Sequence, residues 1–464
     1  LVNYDREETM PSKKRSVMIA VLVIGSTLLA ACAAPTPEQV EVTREVTKIV
    51  EGTPEQVVEV VTATPEPEEE ELVELPESIV VGCLEPLTGA HGVFGTEAKI
   101  GMEMAIEHIN DAGGIESLGG IPLELVVEDC GESADSAKLG AESIVSKHRP
   151  VAILGTYISR LTMAATEVTE REGVIIIADA LLDDLTSTGR RYLFRPCPKA
   201  GQHGRSSVQF VVDMAEKAGT PVEKVAILNE DSAFGRGVST GAMQSALDNG
   251  LTVVYQAEYP YDISDASTIV ADVAQAEPDF IAHCPYFMDG IIFANAFREA
   301  NALPKFIAGM GACGFADPES IEAMGDTANY YSNTYSYNPF KDTPQNNKFV
   351  EAFEAEVGHI PTEAAGMNYY AMWVLKEALE ASAKMFPEDP LNVDNLREAF
   401  LSLDLTSGPA VETYPGDHVF FNEQGDNPDA KAVVLQVIDG EPKAVWPVED
   451  AEVEAVFPRP DATY

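Results

Sequence analysis

Three kinds of residue in this 464-residue chain could do chemistry: glycines spaced to cradle a phosphate, imidazoles and carboxylates that hold metals or move protons, and cysteine thiols. Gly309, Gly311 and Gly314 fit the Gly-x-Gly-x-x-Gly dinucleotide fingerprint and follow a strand-like run. That fingerprint needs a helix opening directly from the glycines, with an acid about 20 residues further on. Here Asp317-Pro318 marks a helix start several residues later, and the stretch where the acid should lie reads Tyr330-Tyr331-Ser332-Asn333. No nucleotide and no other cofactor is expected. The histidines (His91, His108, His148, His203, His283, His359 and His418) show neither His-x-x-x-His nor His-Glu-x-x-His spacing, and His283-Cys284 has no further ligand at metal distance in sequence. No metal site and no catalytic residue is predicted, and the pair Asp183-Asp184 reads as a solvated loop.

The thiols divide by position. Cys32 closes the run Leu29-Ala30-Ala31-Cys32, which follows the cations Lys13, Lys14 and Arg15 and an apolar stretch over 17–31. That stretch is shorter than the about 20 residues a spanning helix needs. The set resembles a bacterial lipoprotein signal, with Met10 as the expected start, 1–32 as signal peptide and Cys32 as the lipid attachment site. Cys83, Cys130, Cys197, Cys284 and Cys313 remain, an odd number that leaves one thiol unpaired within the chain. Cys83 and Cys130 end the first two strand-like runs, and whether they bridge is left open.

Charge excludes one large class of function. With 76 Asp+Glu against 30 Lys+Arg, the chain carries a formal charge of -46 and lacks the basic surface that nucleic-acid readers need. Part of the acidity sits in residues 33–78, with 13 acidic and 2 basic side chains. There Thr36-Pro37-Glu38-Gln39-Val40 recurs as Thr53-Pro54-Glu55-Gln56-Val57, and Glu68, Glu69, Glu70 and Glu71 are consecutive. Its Val/Glu/Thr alternation suits short strands, but an isolated pair is marginal in water. The composition predicts a disordered acidic tether, roughly 40 Å end to end as a flexible coil.

The elements that must position any site begin near Ile79. Apolar runs at 79–84, 123–128, 152–154 and 174–178 alternate with helical patterns ending near Lys147 and Arg171. A second set follows: strands at 225–228, 253–258, 280–283 and 306–308, and helices over 208–217, to Asn249, 269–275 and 291–300. Continuous apolar strands are those of parallel sheets covered on both faces. Helices near 349–357, 367–383 and 396–401 come next, and 433–438 turns through Asp439-Gly440 into 444–446 as a hairpin. The fold class is α/β, with two doubly wound parallel-sheet lobes. Ligands of open parallel sheets sit outside the strands' carboxyl ends, so a cleft between the lobes is the expected site.

The stretch Val80-Val81-Gly82-Cys83-Leu84-Glu85-Pro86-Leu87-Thr88-Gly89 is similar to the opening of the type I periplasmic binding proteins, in particular the leucine/isoleucine/valine-binding family. So are Phe94-Gly95, Ile109-Asn110-Asp111-Ala112-Gly113-Gly114-Ile115, Leu125-Val126-Val127-Glu128-Asp129, Tyr192-Leu193-Phe194-Arg195, Phe234-Gly235-Arg236-Gly237 and Pro278-Asp279-Phe280-Ile281. The resemblance implies three hinge crossovers, expected at 196–200, 336–340 and 407–411. It divides the body into lobe 1 (79–198 and 340–408) and lobe 2 (199–335 and 411–464). It implies no enzyme but a monomeric, exported lipoprotein at the outer face of the cytoplasmic membrane. Such a protein captures an amino acid or related small polar solute by hinge closure and delivers it to an ABC permease and ATPase. The alternative is a ligand-sensing receptor module of the same fold, which a following transmembrane helix and output domain would mark.

Carried over by position, the resemblance puts Tyr157 and Ser159 at the loop that holds a ligand carboxylate, with Ser159 as helix N-cap. It puts Ala180, Leu181 and Leu182 at the next contact loop, where the family's threonine is missing. Phe94, Phe234 and Tyr286 fall where aromatics wall the cleft. Where amino-acid binders place a Glu for the ligand ammonium, this chain has the glycine-rich stretch at 309–314, so Glu230, Asp231, Asp183 or Asp289 would have to substitute.

Overall fold

The structure, a computed structural model, describes residues 75–311 and 314–464, with the backbone of two short strands nearer the amino end. The expected signal peptide with Cys32, most of the acidic stretch, and Cys313 lie outside the described residues. The two short strands, Val42–Val46 and Val57–Val61, pair antiparallel with Val42 opposite Val61. The expectation of disorder throughout 33–78 gives way here, because valine-rich segments carry strong β-propensity.

The body begins with β1 (Ile79–Glu85), followed by α1 (Gly92–Asp111), β2 (Leu123–Asp129), α2 (Ala134–His148), β3 (Ala152–Gly155), α3 (Ser159–Glu172), β4 (Ile175–Ile177) and β5 (Leu193–Phe194). The five strands form a parallel sheet in the order β2-β1-β3-β4-β5. β3 and β4 are buried at every residue and read as continuous apolar runs. β2, at the edge, mixes Glu124, Glu128 and Asp129 into its apolar residues because one side meets water. Ser133 starts α2 through a capping box: its hydroxyl accepts from the Ser136 amide at 3.1 Å, and the Ser136 hydroxyl accepts from the Ser133 amide at 3.0 Å.

The second sheet is built from β6 (Lys224–Glu230), β7 (Thr252–Tyr259), β8 (Phe280–Cys284), β9 (Phe306–Gly309), β10 (Ser332–Tyr335), β11 (Val433–Ile438) and β12 (Glu441–Trp446). Its order is β12-β11-β10-β9-β8-β6-β7, parallel from β7 to β10 and antiparallel at β11 and β12. Helices α4 (Ala200–Ala218), α5 (Ala233–Asp248), α6 (Ser267–Ala276) and α7 (Phe287–Glu299) intervene. The chain then returns to the first sheet, where α8 (Glu363–Met385) packs against α1. The contact is close because Gly101 has no side chain; a Cβ there would lie 2.2 Å from the Ala365 carbonyl oxygen.

The chain passes between the sheets three times: after Phe194, after Tyr335 and before Val433. The third passage lies beyond the 407–411 suggested by the resemblance. Asp404–Leu405 pairs with Val419–Phe420, and Arg195 bridges to Asp426, so the chain stays beside the first sheet through that segment. Cys83 and Cys130 are buried free thiols. Cys83 lies opposite Val127, so Cys130 is three positions further along, about 10 Å at the strand rise and outside disulfide reach.

Candidate ligand-binding site

Both sheets reverse their strand order next to their first strand, between β1 and β3 and between β6 and β8. Connections leaving a switch point in opposite directions open a crevice at the strands' carboxyl ends. β1 and β3 end at Glu85 and Gly155; β6 and β8 end at Glu230 and Cys284. The residues that follow converge on one cavity. The first lobe supplies Tyr157, Ser159, Asp179 and Leu181, the second Phe234 and Tyr286, and α8 adds Glu363 and Met367.

Five of the residues expected from sequence thus share one wall: Tyr157, Ser159, Leu181, Phe234 and Tyr286. Phe94 stands behind it, stacked on Tyr157 at 5.7 Å between ring centroids and edge-on to Phe287 at 6.4 Å. His91 meets Tyr286 at 5.4 Å, so the lobes touch above the cavity. Ala180 is buried beside Leu181, and Leu182 contributes its amide rather than its side chain, donating to the Ser159 hydroxyl at 3.3 Å. The expected capping role of Ser159 is corrected. Ile158 is the N-cap, Ser159 is the first helical residue, and its hydroxyl ties α3 to the loop after β4. Its own proton and the free amides at the start of α3 remain for a solute.

The loop after β3 is tightly constrained. Gly155 has φ of +129°, and a Cβ there would lie 2.1 Å from the Leu84 carbonyl oxygen. Tyr157 follows at φ of +55°, a left-handed conformation costly for a bulky residue and most often kept where a site requires it. Its amide donates to Asp179 Oδ1 at 2.6 Å.

Asp179 and Glu363 were missed at sequence level, and they set the cavity's charge. Asp179 is buried, and its Oδ2 accepts from Asn368 on α8 at 2.8 Å. Burial raises its pKa, and hydrogen bonds from Glu85, Asn368 and the Tyr157 amide oppose the rise. Behind it, burial first and then the neighbouring Asp179 charge push the Glu85 carboxyl well above the ordinary range. Glu363 Oε1 accepts from the Ser336 amide at 2.5 Å, while its Oε2 is buried without a hydrogen-bond partner. Burial pushes Glu363 up to about 7. Among the described residues, no lysine or arginine lines the cavity.

The acids proposed from sequence are engaged elsewhere. Glu230 accepts from the Ser232 and Gly235 amides at 2.6 and 2.9 Å, Asp183 accepts from the Gly201 amide, and Asp289 accepts from the Tyr259 hydroxyl. Asp231 is exposed, and none of the four lines the cavity. Two glycine-bearing stretches are also placed where they cannot do the chemistry their letters suggest. Among the described residues after Gly309, no helix begins before Pro318, unlike a dinucleotide loop. Gly237-Val238-Ser239-Thr240-Gly241 matches a nucleophile elbow by letter but lies within α5, with Ser239 buried rather than at a strand-to-helix turn.

Comparison with known proteins agrees with this architecture. Residues 78–442 match the family model described as periplasmic binding protein. A Leu/Ile/Val-binding protein homolog 8 from Brucella melitensis is 29% identical over 393 residues, covering 81% of this chain and 92% of the relative. A homolog 7 from Brucella suis is 27% identical over 396 residues, covering 82% and 94%. The crystal structure of a leucine binding protein, LivK, from Thermotoga maritima aligns at TM-score 0.67 and 20% identity, covering 82% of this chain and 99% of that one. A solute binding protein from R. palustris in complex with benzoate aligns at TM-score 0.66 and 20% identity, covering 79% and 95%. With two doubly wound lobes, a cavity at their facing switch points and a family match over most of its length, the chain belongs to the periplasmic binding protein family.

Proposed function

We propose that the chain is the exported solute-binding component of an ABC importer, and that its solute is a small amine-bearing compound, in the first place an amino acid with an apolar side chain. Asp179 and the unpartnered Glu363 oxygen carry this reading, because a buried acid facing an uncharged wall is matched by an ammonium group. They stand in for the glutamate that the stretch at 309–314 lacks. The Ser159 hydroxyl and the amino end of α3 suit the carboxylate. Tyr157, Leu181, Phe234, Tyr286 and Met367 offer apolar surface to the side chain and ring faces to a cation.

Names among the relatives lean the same way, with curated Leu/Ile/Val-binding homologs and a solved relative from Desulfitobacterium hafniense in complex with Leu. The benzoate complex shows that the fold also takes aromatic anions, but an acid-lined cavity without a cation opposes a lone carboxylate. Capture would proceed by movement of the lobes about the three passages, with delivery to a permease and its ATPase. Cys32 would carry the lipid anchor, and membrane fractionation checks this: Cys32→Ala should move the protein into the soluble fraction.

A thermal-shift screen of amino acids, amines and aromatic acids tests the solute class. An apolar amino acid or amine is expected to raise the melting temperature by several degrees, as binding to the native state alone requires. A rise with benzoate-like acids and none with any amine would overturn the class.

A further inference from the structure

Away from the cavity, three side chains from three separate elements converge where the lobes meet. Glu97 lies on α1 and His359 in the loop before α8, both beside the first sheet; Glu319 lies on the second lobe's helix Pro318–Met324. His359 Nε2 is 3.5 Å from Glu97 Oε1 and 3.5 Å from Glu319 Oε1, and one ligand atom from each residue falls within 4.8 Å of the others. Ligands at 2.0–2.2 Å around a tetrahedral ion stand roughly 3.3–3.6 Å apart, so the two separations from His359 match the edges of a coordination polyhedron.

The surroundings orient the three groups inward. His359 Nδ1 is 2.8 Å from the Ile360 carbonyl oxygen, which fixes the proton on Nδ1 and leaves the Nε2 lone pair facing the carboxylates. The Thr362 hydroxyl donates to Glu97 Oε2 and turns Oε1 toward His359. Glu97 is almost fully buried, and the second carboxylate oxygen of Glu319, Oε2, is buried without a hydrogen-bond partner. No lysine or arginine pairs with either acid among the described residues. An open groove lined by Pro318, Phe340, His359 and Ile360 gives an ion access from solvent.

We propose that Glu97, Glu319 and His359 form a site for a zinc-class divalent cation that ties the two lobes together across their junction. Two carboxylates and one imidazole make a mixed O/N donor set that such ions accept, with water completing the shell. The scattered histidine spacing in the sequence concealed it, since the ligands are brought together only by packing. The holding role depends on the lobe movement proposed above; the ion site does not.

The full chain is stripped with chelator, and Zn²⁺ is titrated against a chromophoric competitor for wild type, Glu319→Gln and His359→Gln, with circular dichroism as a folding control. One ion per chain is expected for wild type, with affinity at least about tenfold lower in both folded variants. No stoichiometric binding, or equal binding by the variants, overturns the site. Dissociation of a solute found by the thermal screen is then timed with and without Zn²⁺. Slower release supports the tie, and an unchanged rate overturns it while leaving the ion site standing. Zinc binding in a protein that takes no solute would count against the importer reading alone.

Discussion

Glu363→Gln is expected to lower affinity for the amine-bearing solute by at least about thirtyfold, or about 2 kcal/mol, with little change in fold. The substitution keeps side-chain size and an oxygen acceptor for the Ser336 amide but removes the charge that would face the ammonium. Removing one member of a desolvated charge pair costs about 2–5 kcal/mol, because the other charge stays buried and unpaired. Calorimetric titration measures this directly. A pH series adds an independent check. Burial, with Asp179 as a like-charged neighbour, holds empty Glu363 at about 7, so below that pH the solute must expel a proton to gain its counter-ion. Affinity should therefore rise with pH toward about 7 and level off above it, and this dependence should vanish in Glu363→Gln. Stability of the solute-free protein runs the other way. A carboxyl with a raised folded pKa contributes stability that is complete below its ordinary value near 4.5 and is lost as pH rises through about 7.

Asp426→Asn is expected to destabilise the body by about 3–5 kcal/mol. Arg195 is fully buried, and its Nε and Nη2 both donate to Asp426 Oδ1, at 3.0 and 2.6 Å. Nη1 donates to the Leu182 carbonyl at 2.6 Å, and Thr186 donates to Asp426 Oδ2 at 2.7 Å, with Lys199 also paired to that oxygen. The cluster ties the loop carrying Leu181, the first passage between the lobes and the 422–427 segment into one unit. Loss of the carboxylate charge strands a fully buried guanidinium. Against the cost of burial, Arg195, Lys199 and Thr186 hold the Asp426 carboxyl below its ordinary value. Its contribution is present above the ordinary range and lost as pH falls through the depressed value. Urea denaturation should show the lower midpoint, and Arg195→Met with Asp426→Leu should recover part of the loss; a wild-type midpoint for Asp426→Asn would contradict the assignment.

Sequence and structure diverge in instructive places. The parallel strands were legible because burial on both faces writes them as unbroken apolar runs, as in Ala152–Gly155 and Phe280–Cys284. β10 was not, since Ser332, Asn333 and Thr334 look like loop residues. Each is nevertheless buried, and Thr334 is satisfied from outside the strand by the Gly311 amide at 2.6 Å and His203 at 3.1 Å. Among the residues lining the cavity, those that follow directly from strand ends, Tyr157, Ser159, Phe234 and Tyr286, had been named by family position. Asp179 was passed over within a stretch noted for its missing threonine. Glu363 could not be placed at all, because it enters from a helix more than 180 residues away in the chain, and only the packing of α8 across the first lobe brings it there. The sequence pattern placed that helix from 367, so its first turn carrying Glu363, and the cavity it faces, were not visible.

The claim on which the rest depends is that a solute occupies the cavity at the facing switch points. Leu181→Trp fills that space from a wall position and leaves Ser159, Asp179 and Glu363 themselves unsubstituted. Native mass spectrometry of both proteins, purified without denaturation and incubated with the solute from the thermal screen, gives the direct test. One solute per chain should be retained by wild type and none by a variant whose circular dichroism matches it; equal retention by Leu181→Trp would place the solute elsewhere and contradict the account.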